Sequence, residues 1–414
     1  MQFTLPEEGA MHYDCLIVGS GHGGAQAATS LRQNGFQGSI GLLSEDRDPP
    51  YERPPLSKDY LLGGKTFDRI LIRPAEFWTS RNIDLLLGNE VVKVDAKKKQ
   101  VLCADGATFS YGYLIWSAGG RPRRMSCPGH HLQGIHAVRT RSDVDRLVED
   151  LASAERAVVV GGGYIGLEAA AALIKLGKTV TVVEAMNRVL ARVAAEPLSR
   201  FYEREHRDHG VEIRLETGVD KFVGSEGRLT GVLLKDGVTL PADIAIVGIG
   251  IVPCVEPLIE AGAAGENGLD VDEHCRTSLP DVFAIGDCAR VKSGHGLRIE
   301  SVQNAHDQAT AVAKTLCGEL TPYSATPWFW SNQYDLRLQT VGLSVGFDGT
   351  VIRGDPNTRS FSIVYLREGA VIALDCINCV RDYVEGRMLV ERAAHVRPDV
   401  LANNSIRLKS LAVA

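Results

Sequence analysis

No stretch of this chain is long and apolar enough for a membrane span, since its longest hydrophobic runs stop well short of the roughly 20 residues that a bilayer crossing requires. Residues 1–13 lack the basic start and apolar core of a secretory signal. Cysteine occurs in an odd number, 9, without regular spacing, which speaks against a disulfide framework and for reduced thiols in a reducing compartment. An excess of positive charge is missing too: the formal net charge of −6 argues against generic nucleic-acid binding and leaves only a local patch open. These absences predict a cytoplasmic protein with no membrane and no nucleic-acid partner. What remains, 44% hydrophobic and 23% charged residues over 414 positions, fits two or three globular domains with real cores and excludes a disordered or fibrous chain.

What the sequence does have is glycine, set twice in one pattern. Gly19-Ser20-Gly21-His22-Gly23-Gly24 follows the apolar run Cys15-Leu16-Ile17-Val18, and Gly161-Gly162-Gly163-Tyr164-Ile165-Gly166 follows Ala157-Val158-Val159-Val160. Each opens into an Ala-rich stretch that reads as a helix. A strand feeding Gly-x-Gly-x-x-Gly into a helix lets backbone amides approach a pyrophosphate, whose charge the helix N-terminus stabilises. Two such motifs imply two dinucleotides in one polypeptide, and electron transfer between them.

After the first motif, 25–33 reads as helix, Gly35 ends it, and 40–43 forms the next strand, closing a βαβ unit. Glu45 stands just beyond that strand, about 20 residues past the glycines, where an acid can accept hydrogen bonds from a ribose. The alternative is a solvated carboxylate in the loop Glu45-Asp46-Arg47-Asp48. In the next segment, Pro49-Pro50-Tyr51-Glu52-Arg53-Pro54-Pro55-Leu56-Ser57-Lys58, four prolines exclude a regular helix until Ser57 can cap the next one. This reads either as a rigid surface loop or as a segment that fixes side chains against something. Apolar strands over 113–122 and 243–253 each follow a glycine motif by about 90 to 100 residues, an internal duplication with borders near residues 121 and 255.

In the second copy 179–183 is the second strand and Glu184 ends it, repeating the arithmetic of Glu45. A carboxylate there binds a free 2′-hydroxyl and repels a 2′-phosphate, favouring NADH over NADPH, although Arg188 and Arg192 lie close enough to accommodate the extra phosphate. Residues 277–287 supply a strand ending in Gly-Asp, and 303–316 an Ala-rich helix. From about Pro327 short β-type runs alternate with turns and end in helix, a smaller α+β domain without a nucleotide signal.

Together, the first glycine motif, Arg53-Pro54-Pro55-Leu56-Ser57-Lys58, Gly161 through Glu168, Ala284-Ile285-Gly286-Asp287 and Trp328-Phe329-Trp330-Ser331-Asn332-Gln333-Tyr334 resemble the oxygenase-coupled NADH-dependent ferredoxin reductases, the putidaredoxin-reductase-like FAD flavoproteins. The resemblance spans nearly the whole chain. It implies an α/β fold with two Rossmann-like dinucleotide-binding domains, arranged as in glutathione reductase, plus a C-terminal α+β domain. Residues 1–121 and 256–326 would form the FAD domain, 122–255 the NADH domain and 327–414 the C-terminal domain.

On that pattern Gly19, Gly21, Gly24 and Glu45 hold the adenosine diphosphate half of FAD, Arg53, Val91 and Arg139 contact the cofactor, Asp287 binds the ribityl chain and Val302 reaches the pyrimidine end. Gly161, Gly163, Gly166, Glu184 and Gly250 bind NADH. Lys58 is similar in position to the family's lysine beside the reactive flavin nitrogen, Glu168 approaches the nicotinamide, and Trp330 lies near the isoalloxazine. These last three are the candidate catalytic residues, and neither Lys58 nor Glu168 need transfer a proton.

The implied reaction passes electrons from NADH through noncovalent FAD to a [2Fe-2S] ferredoxin that feeds a Rieske oxygenase or a cytochrome P450, in a monomer or weak homodimer. A rubredoxin reductase, an NADH oxidase and a redox sensor resembling apoptosis-inducing factor are the alternatives. Arg298, Arg337, Arg407 and Lys409 are candidates for a basic docking patch. Disulfide reductases of similar architecture carry a cysteine pair beside the flavin; here Pro54 to Lys58 occupies one such place and the NADH segment has no close pair. Cys376-Ile377-Asn378-Cys379 departs from the family pattern, as a redox pair, half a zinc site or packed thiols.

Overall fold

A computed structural model describes residues 10–292 and 296–411. The expectation about the chain's first residues falls in part on 1–9, outside the described residues. The chain forms two compact units: Met1–Arg53, Thr66–Arg121 and Ile251–Ala325 make the first, and Pro54–Lys65, Pro122–Gly250 and Thr326–Ala414 the second. Among the described residues no helix is long and apolar enough to cross a membrane.

In the first unit the parallel strands run side by side in the order Ile83–Leu87, Ile40–Ser44, Met11–Val18, Thr108–Trp116 and Val282–Ala284. Strand Thr108–Trp116 serves two partners on one side. Its first residues pair antiparallel with Gln100–Cys103, and its last three pair parallel with Val282–Ala284. Side chains alternate between the faces of the sheet, so Leu16 and Val18 join Trp116 and Leu258 in one core, while Cys15 and Ile17 join a second core against two helices. Those helices, His22–Gln33 and Val302–Leu316, bury Ala25, Ala28, Ala309 and Ala313, whose small side chains permit close approach.

The second unit repeats this design. Its parallel strands lie in the order Glu212–Arg214, Thr179–Val183, Arg156–Val160, Ile244–Val247 and Ile135–His136. A three-stranded antiparallel meander, Val219–Ser225, Arg228–Leu234 and Thr239–Pro241, is inserted before the fourth of these, as Val91–Asp95, Gln100–Cys103 and the start of Thr108–Trp116 are in the first unit. The chain's last part forms an antiparallel sheet in the order Trp328–Gln333, Leu336–Gly342, Ala370–Ile377, Ser360–Arg367 and Gly349–Asp355, with helix Val380–Glu391 packed on it.

The helix expected after Ser57 does not form. Pro54–Ser57 is a single 3-10 turn, and the chain continues through further turns to Gly63. The Ser57 hydroxyl has no helix start to cap because a distant carboxylate engages it.

One buried cation holds the tail onto the C-terminal sheet. Arg353 is 1% exposed; its Nε donates to Asp382 Oδ2 at 3.0 Å, and its Nη1 donates to the carbonyls of Leu401 and Asn403 at 3.0 and 2.7 Å. Its Nη2 also donates to the Ile406 carbonyl at 2.5 Å, so removing it leaves a buried carboxylate and three carbonyls without this donor. Arg353→Met should therefore cost about 3–5 kcal/mol in a denaturant titration. Arg387→Met, which breaks only a solvent-facing pair with Glu391, should cost about 0.5 kcal/mol or less.

Candidate functional site

In both glycine motifs the first and third glycines are fixed by sterics and the second is not. Gly19 has φ +103°, and a Cβ there would meet Ser117 O at 2.3 Å; a Cβ on Gly24 would meet Gly19 O at 1.8 Å. Gly161 has φ +106°, and a Cβ there would meet Gly248 O at 2.4 Å, while one on Gly166 would meet Gly161 O at 2.1 Å. Around Gly163, by contrast, a Cβ would find nothing within 4 Å, and around Gly21 only Arg53 Nε at 3.9 Å. Gly21 and Gly163 are also the N-cap residues of their helices and bring no side-chain cap to the first-turn amides. Open space in front of each helix start, where the dipole is positive, fits the diphosphate of a dinucleotide in each unit.

In the first unit Arg53 is the predicted residue brought closest to a glycine loop, and its guanidinium lies 5.1 Å from the Tyr51 ring centroid. Glu45 follows the strand Ile40–Ser44 directly and is exposed. Asp287 sits in the turn Gly286–Cys288, which the Gly286 N–H ties to Gln308 Oε1 at 2.7 Å on the helix that Val302 begins. Val91 opens the strand Val91–Asp95.

In the second unit Glu184 reaches back to its glycine loop: Oε2 accepts the Gly162 N–H at 2.7 Å and Oε1 the Met186 N–H at 2.8 Å. Arg188 turns inward, donating to the carbonyls of Ala194 and Ala191 at 2.8 and 3.0 Å and to Ser199 Oγ at 2.6 Å. Arg192 is exposed. Gly250 has φ +101° and its carbonyl accepts the Arg123 N–H at 2.9 Å. Arg139 is half-buried, just before the Thr140-capped helix Arg141–Leu151.

The most concentrated polar chemistry of this unit surrounds Glu168. It lies on the helix Tyr164–Lys175, is 3% exposed, and accepts from Lys58 Nζ at 2.8 Å, Ser57 Oγ at 2.6 Å and Ser331 Oγ at 2.6 Å. Sequence reasoning singled out Lys58 and Glu168 and missed both serines. Strand alternation carried a signal for Ser331. On the strand Trp328–Gln333, Phe329 and Ser331 share one face, and Phe329 packs 4.7 Å from the Tyr164 ring at the start of the Glu168 helix. Trp330 therefore points to the opposite face with Trp328, their rings 5.7 Å apart, and is not brought against Lys58 and Glu168.

One of the four docking candidates is corrected. Arg298 is 10% exposed and is held by Glu300 at 2.7 Å and by the Asp287 carbonyl at 2.7 Å, so it is no surface cation. Arg407 donates from Nε to Glu385 Oε1 at 2.9 Å and remains exposed. Arg337 and Lys409 are exposed. All nine cysteines are unpaired; Cys376 is buried within its strand, and burial pushes its thiol pKa up, the opposite of what a reactive thiol needs. Among the described residues no cluster of three or more metal-ligating side chains accompanies it.

Comparison with known proteins agrees with this geometry. Residues 13–309 match the pyridine nucleotide-disulphide oxidoreductase family and 328–412 the reductase C-terminal family. The chain is 58% identical to the 5,5'-dehydrodivanillate O-demethylase ferredoxin reductase subunit of Sphingobium sp., over 97% of this chain and 99% of the relative. It is 56% identical to a ferredoxin–NAD(P)(+) reductase of Sphingomonas sp, over 94% and 95% of the two chains. It superposes with a TM-score of 0.93 on putidaredoxin reductase in the crystal structure of its covalent complex with putidaredoxin, at 38% identity and with 98% and 99% of the chains covered. The chain belongs to the pyridine nucleotide-disulphide oxidoreductase family, among the putidaredoxin-reductase-type FAD/NAD flavoproteins with a reductase C-terminal domain.

Proposed function

We propose that this chain is an FAD-dependent NADH:ferredoxin reductase that converts NADH and two oxidised [2Fe-2S] ferredoxins into NAD+, two reduced ferredoxins and a proton. The reduced ferredoxins serve a Rieske oxygenase or a cytochrome P450. The observation that carries this reading is the pair of glycine loops, each with an open second glycine before a helix start. One loop alone would serve a single-cofactor dehydrogenase. Support for the acceptor comes from relatives whose names give a ferredoxin reductase subunit of an O-demethylase and a complex with putidaredoxin. Nine unpaired thiols suit the cytoplasm. We place FAD in 1–121 with 256–326, NADH in 122–255, and the C-terminal domain in 327–414, working as a monomer or weak homodimer.

Gly19, Gly21, Gly24 and Arg53 hold the FAD diphosphate, Glu45 the adenine ribose, and Asp287, Val302, Val91 and Arg139 the flavin half. Gly161, Gly163 and Gly166 hold the NADH diphosphate, Glu184 its ribose, and Gly250 lines the nucleotide. Bound FAD supplies the chemistry the side chains lack: it takes two electrons together and releases them singly. Lys58 places positive charge where reduction builds negative charge, and Glu168 fixes that ammonium and the nicotinamide amide. Trp330, on the other face of its strand from Ser331, would lie near the isoalloxazine.

Purified protein should be yellow with one noncovalent FAD, be bleached by NADH, and pass electrons to a soluble [2Fe-2S] ferredoxin in a cytochrome-coupled assay. A folded preparation that takes up no FAD, or one that bleaches and reduces only oxygen, would overturn the assignment.

Gly163→Ala should weaken NADH binding by at least about tenfold, roughly 1.4 kcal/mol, because its methyl enters the space left for the diphosphate. FAD content and unfolding midpoint should stay unchanged, since that methyl meets no protein atom within 4 Å.

NADH should be used far better than NADPH, because Arg188 is committed to its own loop and Glu184 stands at the glycine turn. Glu184→Ala should reduce the ratio of kcat/KM values by about tenfold, some 1.4 kcal/mol. An unchanged ratio would place discrimination elsewhere, with Arg192 the next residue to vary.

A further inference from the structure

Glu168 is the inner end of a longer chain of hydrogen bonds. Ser331 Oγ, which donates to Glu168, itself accepts from Gln333 Nε2 at 3.2 Å. Gln333 Oε1 lies 2.8 Å from His206 Nε2, and His206 Nδ1 lies 3.0 Å from the Tyr334 hydroxyl. Ser331, Gln333 and His206 are each at most 1% exposed, whereas the half-buried Tyr334 stacks on the exposed His209 with centroids 3.7 Å apart.

Burial pushes the His206 imidazole down to about 4, so near neutral pH it is uncharged and one ring nitrogen donates while the other accepts. The Gln333 amide decides which. With its NH2 on Ser331, its oxygen faces His206, so Nε2 carries the hydrogen and Nδ1 accepts from Tyr334. Every donor then points toward Glu168, an alignment in which successive bonds polarise one another.

A directed chain from the surface to a buried carboxylate can conduct protons or orient groups. Gln333 separates the two: passing a proton through a primary amide requires its high-energy imidic acid form, so the chain is broken for conduction and intact for orientation. We propose that His206, acting through Gln333 and Ser331, is a positioning residue that fixes the Glu168 carboxylate and thereby sets how much of the Lys58 positive charge is available to the flavin. This rests on the placement of Lys58 and Glu168 at the flavin proposed above. Each hydrogen bond Glu168 loses leaves more negative charge for Lys58 to neutralise, and less of its field for the cofactor.

The test is the redox equilibrium of the FAD-loaded protein against a reference dye. At a fixed poise, Ser331→Ala and His206→Leu should each lower the ratio of reduced to oxidised flavin at least threefold. His206→Gln, whose amide can donate to Gln333 Oε1 from the place of Nε2, should stay within about 1.5-fold of the parent. Lys58→Met is the control for the placement itself. If it shifts the ratio while Ser331→Ala and His206→Leu do not, the positioning role is wrong and the site assignment stands; if Lys58→Met shifts nothing, the placement fails and the positioning role with it. Nitrogen NMR of the protein without nucleotide gives a second, activity-free check. His206 should appear as the neutral Nε2–H form throughout pH 6–8, and a cationic ring or the other tautomer at pH 7 would overturn the donor alignment.

Discussion

The second unit depends on keeping one carboxylate charged away from water. Desolvating an ion costs several kcal/mol unless a counter-charge and hydrogen-bond donors replace the lost solvent. Glu168 obtains all of them from elsewhere in the chain: Lys58 and Ser57 from a proline-bounded turn more than a hundred residues earlier, and Ser331 from a strand later by a still larger interval. This explains why Pro54–Lys65 clusters with the second unit although the residues on either side of it belong to the first. Prolines suit that segment because a stiff turn loses little entropy when it is held in one place.

The duplicated dinucleotide-binding units solve the same steric problem twice, with first and third glycines locked against neighbouring backbone. Their acids have diverged. Glu45 is exposed beyond its strand, whereas Glu184 is hydrogen-bonded to its own glycine turn before any ligand is considered. On the ribose role proposed for it, a carboxylate held in this way would need less ordering when the nucleotide arrives, leaving the second site the better preorganised.

What was legible in the sequence follows from the range of the forces involved. The glycine triplets could be read because sterics between adjacent strand, turn and helix are local and leave a fixed spacing. The Lys58 and Glu168 candidates came from likeness to a family, since nothing in local spacing links two positions so far apart. Ser57 was misjudged because a capping rule considers only the next few residues, and a stronger acceptor from another helix took its hydroxyl. Arg298 read as a surface charge, as most arginines are, yet the Asp287 carbonyl and Glu300 draw it in. His206 carried no sequence signal at all: its partners Gln333 and Tyr334 are neighbours only after the C-terminal sheet has packed on the helix Glu196–Asp208.

The divided strand Thr108–Trp116 constrains how the protein can be made. On the side away from Met11–Val18, residues 114–116 find their neighbour at Val282–Ala284, so the first sheet cannot be completed until everything from 117 to 281 has left the ribosome. Until then the backbone groups of Leu114, Ile115 and Trp116 form an open apolar edge, the kind of surface on which chains aggregate. Any nascent or truncated polypeptide that stops within Pro122–Gly250 carries that edge, however well the segment beyond it has folded.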